Sequence, residues 1–182
     1  MDEPELLALA FSAGRGDRDA STALIRATQR PVRRFLVSLS GLHDADDLVQ
    51  ETYLRAFGAL PSFAGRSSVR TWLFAIARRV AADHLRQAYR RPPTAAVPDW
   101  AAAAEGVHQH GQTRFDERVA LEDLLARLPA DRREAFVATQ VLGLSYAEAA
   151  EVCGCPVGTI RSRVARARDE LIALVAPEAA AG

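Results

Sequence analysis

The chain contains no lysine, and all 23 of its basic side chains are arginines. Its 23 acidic side chains balance them, so the formal net charge is zero at pH 7. Bulk charge therefore cannot attract a polyanion, and any contact with nucleic acid has to come from local segregation of charge. Arginine suits such a contact, because its planar guanidinium can bind a phosphate or a guanine edge with two hydrogen bonds. Together with the abundance of alanine, the lack of lysine indicates a GC-rich coding genome.

Cysteine is almost absent, and the two that occur, Cys153 and Cys155, exclude a disulfide framework. They flank a turn glycine, where small apolar residues are usual, and no histidine or third cysteine is nearby in the sequence. We therefore expect a structural role rather than a metal or redox site. Apolar runs of the length that spans a bilayer, about 18 residues, are also lacking, as is the apolar core of a signal peptide. We expect a soluble, cytoplasmic protein without membrane insertion.

Signatures of enzymes are lacking as well. The sequence has no glycine-rich phosphate loop, no His-Glu metal helix and no nucleophile elbow. Its four histidines, His43, His84, His108 and His110, have no catalytic partners at motif spacing. We expect a protein that is not an enzyme and that holds neither a metal nor a cofactor.

What is present is helical periodicity, with no alternation of period two long enough for a sheet. Residues 92–113 interrupt it with three prolines, two glycines, an alanine run and no arginine, a composition typical of a linker. The sequence therefore predicts an all-α protein of two small helical domains, residues 1–91 and 114–182, joined by a flexible linker. Within the first domain, Pro31 is expected to split or kink a helix, because it cannot donate a backbone hydrogen bond.

Residues 145–168 form the clearest motif. Ser145 followed by Glu148 has the form of a capping box, which predicts the start of a helix. Gly154 can take the left-handed conformation that reverses the chain, and Pro156 suits the first turn of a second helix. That helix combines an apolar stripe with four arginines and no acid before position 169: Ile160, Val164, Ala167, Leu171, Arg161, Arg163, Arg166 and Arg168.

Two interpretations fit this motif. A helix-turn-helix with so basic a second helix is typical of proteins that place that helix in the major groove of DNA. A plain helical hairpin with a solvated basic face is the alternative. The small Ala149 and Ala150, where two helices must cross closely, favour the helix-turn-helix.

Charge is also segregated in the first domain. A helix expected to start near Asp44 carries four acids before its first base, Arg55. Such acids stabilise a helix dipole, but together with Gln50 they also form a face that could dock on a basic protein partner. From Arg66 to Arg91 there are seven arginines and only one acid, Asp83, which is the electrostatic footprint of a nucleic-acid contact.

The order and spacing of these motifs resemble the extracytoplasmic-function sigma factors of bacterial RNA polymerase, and most of all their sigma-C subgroup in high-GC bacteria. The matching stretches are residues 44–57, 70–86, 128–129, 143–150 and 156–163. They cover nearly the whole chain outside the linker and the termini. The resemblance implies a promoter-specificity subunit that binds core RNA polymerase and promoter DNA.

The resemblance also implies roles for individual residues. One face of the acidic helix would bind the clamp helices of the largest polymerase subunit: Asp46, Asp47, Gln50, Glu51 and Arg55. A loop would cap a base flipped out of the −10 element, and the following helix would hold the opening duplex: Arg66, Ser67, Ser68, Trp72, Arg78, Arg79, Asp83 and Arg86. The helix-turn-helix would meet the −35 element: Thr159, Arg161, Ser162, Arg163 and Arg166.

Further partners follow from the same resemblance. The second domain would also contact the polymerase flap, and an anti-sigma factor is an additional candidate partner. The family often has asparagine where Arg79 stands, so Arg79 is expected to contact a phosphate rather than a base. A lone tryptophan such as Trp72 is more often part of a core than a platform for an unstacked base.

On the residues alone, two other classes of protein stay open. A conventional helix-turn-helix regulator would dimerise, bind a palindrome and protect DNA without polymerase. A protein-binding helical adaptor would show no DNA affinity that falls steeply with salt.

Overall fold

A computed structural model describes residues 1–90, 121 and 123–179. All regular elements of this part of the chain are helical, which confirms the predicted fold class. The first domain contains α1 (Glu3–Gly14), α2 (Arg18–Ser40), α3 (Ala45–Ala59), a 3-10 turn (Leu60–Ser62) and α4 (Val69–Arg90). The second contains α5 (Ala130–Phe136), which continues as a π-helical segment (Val137–Val141), then α6 (Tyr146–Cys153) and α7 (Val157–Ala179). The predicted linker, residues 92–113, lies outside the described residues, and the domain boundaries stay a prediction.

Helix α2 is the centre of the first domain, since it packs against α1, α3 and α4. Its fully buried Phe35 meets Phe74 of α4 edge-on, with ring centroids 5.4 Å apart. Such aromatic pairs contribute about 0.5–1.5 kcal/mol beyond the burial of their area. The hydroxyls of Thr28 on α2 and Tyr53 on α3 lie 2.7 Å apart, so these two buried polar groups satisfy each other.

Pro31 does not split α2, contrary to one of the two outcomes that the sequence predicts for it. The helix runs unbroken from Arg18 to Ser40 with Pro31 inside it. A proline at this place removes one backbone hydrogen bond, but α2 buries Leu24 before it and Val32 just after it in the same core. Packing on both sides of the proline holds the two halves in one helix.

The predicted helix-turn-helix is present as α6 and α7. The capping box is complete, because Ser145 Oγ accepts from Glu148 N at 3.2 Å and Glu148 Oε2 accepts from Ser145 N at 2.9 Å. Gly154 ends α6 in the left-handed conformation, with φ +64°. Pro156 lies directly before α7 rather than inside its first turn. The predicted apolar stripe of α7 is buried at Ile160, Val164 and Ala167 and half-buried at Leu171.

Two glycines of this motif should respond oppositely to alanine. We expect Gly154→Ala to lower the free energy of unfolding by about 1–2 kcal/mol, because a side chain at positive φ is strained. Gly158→Ala should instead be neutral or stabilising by up to about 1 kcal/mol, since Gly158 lies in α7 with open space around it. Urea unfolding of both variants tests the pair, and equal effects would contradict the assigned turn.

The two domains pack against each other. Helix α4 contacts α6, and α2 contacts α5 and the π-helical segment. Buried apolar side chains of both domains belong to one continuous core. The chain therefore adopts a closed arrangement, which term we use below for this packing of the helix-turn-helix domain on α2 and α4.

Candidate polymerase and promoter interfaces

The first candidate surface is the acidic face of α3, which consists of Asp46, Asp47, Gln50, Glu51 and Arg55. Four of its side chains are exposed and that of Glu51 is half-buried. Acids in the first turn suit the helix dipole, so the sequence can place them here without cost to the helix. Two ion pairs involve this face and leave Asp47 without an arginine partner among the described residues. Arg33 Nε of α2 donates to Asp46 at 2.7 Å, and within the face Arg55 Nε donates to Glu51 at 2.7 Å. The face is thus a preformed, solvent-accessible set of carboxylates.

Arg55 also joins this face to α4. Its Nη1 donates to Asp83 at 2.7 Å, and Arg86 donates to the other oxygen of the same carboxylate. These hydrogen bonds hold the pKa of Asp83 below its ordinary value, so the carboxylate stays ionised at neutral pH. Asp83 was predicted to face DNA, and in the closed arrangement its carboxylate bridges the two arginines.

The predicted −10 surface consists of Arg66, Ser67, Ser68, Trp72, Arg78, Arg79, Asp83 and Arg86. Of these, Arg66, Arg79 and Arg86 are exposed. Trp72 is half-buried and lies against Phe63, with ring centroids 4.8 Å apart, as expected for a core tryptophan. Among the described residues, the guanidinium groups of Arg66 and Arg79 are exposed and unpaired, whereas that of Arg86 is exposed but donates to Asp83. The loop and the middle of α4 are partly covered.

Glu148 of α6 covers the loop before α4. While its Oε2 completes the capping box, its Oε1 accepts from Ser68 Oγ and Thr71 Oγ1, each at 3.3 Å. Desolvation by burial opposes the shift, but the hydrogen bonds from Ser145, together with those from Thr71 and Ser68, hold the pKa of Glu148 below its ordinary value. The start of α6 is thereby tied to the loop that is predicted to cap a flipped base.

An ion pair between the domains covers the middle of α4. Arg78 Nε of α4 donates to Glu134 Oε1 of α5, and the Glu134 side chain is only 9% exposed. Desolvation by burial raises the pKa of Glu134 above its ordinary value, although Arg78 opposes the shift. Burial of the Glu134 charge therefore opposes the stability of the closed arrangement, and the ion pair with Arg78 offsets part of that cost.

The shift has a testable sign. Because the pKa of Glu134 is raised in the folded state, the folded protein binds more protons than the unfolded chain just above the ordinary pKa of about 4.5. The free energy of unfolding therefore falls as the pH rises through this range. Glu134→Gln keeps an acceptor for Arg78 but does not titrate, so we expect its stability to lack this decline. Urea unfolding between about pH 4 and pH 7 measures it. The exposed Glu151→Gln serves as the control and should keep the wild-type profile.

The third candidate surface is the predicted −35 face of α7, which consists of Thr159, Arg161, Ser162, Arg163 and Arg166. Arg161, Ser162 and Arg166 are exposed. Arg163 is half-buried, pairs with Asp131 at 3.1 Å and lies 3.7 Å from the Cys155 sulfur. Arg161 and Arg166 are therefore the guanidinium groups of this face that stand ready for an outside partner.

Cys153 and Cys155 are both free cysteines, and Cys153 is part of the core. Cys153 is buried, and desolvation raises its pKa to about 12, so it stays a neutral thiol. No group of three or more potential metal ligands occurs among the residues that the structure describes. Within the same residues, no helix has the length and apolar character needed to cross a membrane.

Sequence reasoning missed the contacts between the domains. It treated Glu148 only as a cap, and it did not single out Glu134 or Thr71. One signal for Glu134 was available, because this acid shares an apolar helical stripe with Val137 and Val141 at i+3 and i+7. An acid on a buried stripe needs a partner, and here that partner is Arg78.

Comparisons with known proteins agree with this architecture. Residues 24–91 match the family description "Sigma-70 region 2", and residues 118–171 match "Sigma-70, region 4". The chain is 52% identical over 179 residues to "ECF RNA polymerase sigma factor SigC" of Mycobacterium tuberculosis, which covers 97% of this chain and 95% of that protein. It is 43% identical over 152 residues to "ECF RNA polymerase sigma factor EcfG" of Rhodopseudomonas palustris, covering 83% and 82%.

Two solved structures are similar as well. CnrH in complex with the cytosolic domain of CnrY has a TM-score of 0.71 at 27% identity, covering 93% of this chain and 96% of that one. The sigma factor RpoE in complex with the anti-sigma factor NepR, from Bartonella quintana, has a TM-score of 0.68 at 32% identity, covering 85% and 95%. The chain therefore belongs to the family of extracytoplasmic-function RNA polymerase sigma factors, and its resemblance to the sigma-C subgroup is confirmed. Sigma factors are transcription initiation factors and not enzymes, as the sequence predicts.

Proposed function

We propose that this protein is a cytoplasmic promoter-specificity subunit that binds core RNA polymerase, recognises −10 and −35 elements and aids promoter melting. The observation that carries the proposal is the segregation of charge in a neutral chain. Exposed carboxylates gather on α3, whereas exposed arginines lie on α4 and on the second helix of a helix-turn-helix, as they also do on α2. Membership of the sigma factor family supports the same reading.

In this proposal, the acidic face of α3 docks on the clamp helices of the largest polymerase subunit, and the second domain docks on the flap. The loop at Arg66, Ser67 and Ser68 captures a base flipped from the −10 element. Extrusion of a base costs a few kcal/mol, which its pocket and the phosphate contacts of Arg79 and Arg86 offset. Arg78, Trp72 and Asp83 complete this surface.

The −35 element is read by α7, with Arg161 and Arg166 as the main contacts and with Thr159, Ser162 and Arg163 beside them. A guanidinium that binds a guanine edge with two hydrogen bonds contributes about 1–3 kcal/mol of discrimination. Arg163 reaches DNA only if it leaves Asp131, so we expect a smaller contribution from it.

The closed arrangement has to open before both promoter elements can be engaged. Glu148 occupies the hydroxyls of Ser68 and Thr71, and Glu134 occupies the guanidinium of Arg78. Of these groups, the Ser68 hydroxyl and the Arg78 guanidinium belong to the proposed −10 surface. In this proposal, α3 and the second domain bind separate sites on polymerase. Only an open state can occupy both sites at once, so binding to polymerase favours the separation of the domains.

An anti-sigma factor is a further proposed partner, supported by the complex of the similar RpoE with NepR. Such a partner would hold the promoter surfaces covered until a signal releases them.

The function is tested by adding the purified chain to core RNA polymerase and mapping transcript starts genome-wide. We expect starts at a defined set of promoters that share two short elements, and no footprint on DNA by the chain alone. Failure to direct initiation at any sequence would overturn the proposal, and a footprint without polymerase would favour a conventional regulator.

A further inference from the structure

A cavity of about 790 Å³ lies between α2 and the second domain. One wall is the C-terminal half of α2 with the turn after it. The other is formed by α5, the π-helical segment and, before them, Leu121, Asp123, Leu125 and Ala126. Its volume falls in the range of about 300–1,000 Å³ that is usual for small-molecule pockets. None of the residues proposed to contact polymerase or promoter lines it.

Positive charge predominates at this cavity. Four arginines line it, against a single described acid, Asp123. Arg33 is already paired with Asp46, whereas Arg30 and Arg34 are exposed. Arg133 also lines the cavity. Its Nη1 donates to Ala126 O at 3.3 Å, and its buried Nε donates to no acceptor among the described residues. Hydrogen bonds from arginine to an anion are charge-assisted and stronger than neutral ones, so this lining favours an anionic ligand.

Apart from Ser38 and Gly41, the rest of the described lining is aliphatic. Val37 of α2 faces Leu125 and the two valines at the ends of the π-helical segment across the cavity. Two exposed leucines stand at it, Leu42 at 55% and Leu121 at 46%. No aromatic side chain is among the described lining residues, so the cavity offers no platform on which a nucleotide base could stack. The lining therefore suits an alkyl chain better than a nucleotide.

We propose that this cavity binds a small amphipathic anion, namely a single alkyl chain with one carboxylate or similar head group. The head group meets Arg34 and Arg133, with Arg30 adding long-range attraction, and the chain lies on the aliphatic wall. Because the cavity is formed by both domains, the ligand binds the closed arrangement only. Its occupancy therefore stabilises that arrangement by mass action. That this would lower transcription rests on the proposed function, whereas the binding itself does not.

Isothermal titration of the full chain with decanoate, at concentrations below its self-association, tests the binding. We expect saturable binding at one site per chain. Decyl glucoside has the alkyl chain but no charged head group, and inorganic phosphate has the charge but no alkyl chain. Each should bind at least about tenfold more weakly than decanoate. Arg34→Gln, which changes an exposed side chain, should weaken decanoate binding about tenfold, as expected for one charge-assisted hydrogen bond. Arg133→Gln should weaken it further.

Arg127→Gln is the matched control, since Arg127 is exposed on the same segment as the second wall but does not line the cavity. It should leave decanoate affinity within about twofold of the wild type. Absence of saturable binding, equal affinity for decyl glucoside, or unchanged affinity in Arg34→Gln would each overturn the site. Several sites per chain would mean adsorption to apolar surface and would overturn it too.

The effect on the domains is measured separately, by hydrogen–deuterium exchange without polymerase. Decanoate should slow the exchange of backbone amides at the start of α4 and in α6, where the domains meet away from the cavity. Protection confined to α2 and α5 would refute the stabilisation of the closed arrangement. Because neither experiment uses DNA or polymerase, failure here is distinguishable from failure of the sigma factor function.

Discussion

Replacing both Asp47 and Glu51 by arginine is expected to abolish the association of this protein with core RNA polymerase. The two carboxylates lie on the exposed acidic face of α3, and Asp47 has no arginine bound to it among the described residues. Juxtaposed like charges in an interface cost several kcal/mol, so the affinity should fall by about 1,000-fold or more. Co-elution with core polymerase in gel filtration at moderate salt measures it.

The fold should survive these changes. Asp47 lies in the first turn of α3, where loss of an acid costs only about 0.3–1 kcal/mol at the surface. Glu51→Arg frees Arg55, which keeps Asp83 as a partner. A matched variant reverses two exposed acids of the second domain, Glu151 and Asp169, and so has the same change in net charge. It should still co-elute, and unchanged co-elution of the α3 variant would refute the docking face.

Replacing Arg161 and Arg166 together by alanine is expected to lower transcription from promoters that depend on a −35 element by about 100-fold or more. Each guanidinium is exposed on α7, and each contact to a guanine edge or phosphate contributes about 1–3 kcal/mol. Alanine is the best helix former, so the helix itself is not weakened. Runoff transcription with reconstituted holoenzyme measures the loss, and binding to core polymerase should persist.

Arg168→Ala is the control for this experiment. Arg168 belongs to the same helix but donates to Gln140 of its own domain at 2.6 Å. Its loss should change transcription by no more than about threefold. Normal transcription by the double variant, or an equal defect in Arg168→Ala, would count against α7 as the reader of the −35 element.

Local features of the fold were predictable because their causes lie within a few residues. The capping box at Ser145 and Glu148 and the left-handed Gly154 each depend on contacts within a single turn of chain. The buried stripe of α7 depends on helical periodicity alone. Pro31 shows the limit of such reasoning, because the packing of α2 on its neighbours outweighs the cost of a missing hydrogen bond.

The contacts between the domains were beyond this reasoning for a physical reason. Arg78 and Glu134 are 56 positions apart, and Ser68 and Glu148 are 80 apart. No periodic pattern connects positions across so long an interval, since the pairing depends on how two finished surfaces meet. The half-buried position of Arg163 is intermediate between these long-range contacts and the local features that the sequence predicts. It stands three residues after Ile160 and four before Ala167, so it borders the apolar stripe, and the sequence alone could have shown this.

The double role of Glu148 bears on how fast the protein can act. One oxygen of this carboxylate holds the first turn of α6 together, and only the other reaches across to Ser68 and Thr71. The capping box therefore lies within one domain and does not depend on the contact between the domains. If the domains part as proposed, we expect the capping box to stay intact and the step to occur at the rate of domain motion, in the microsecond to millisecond range.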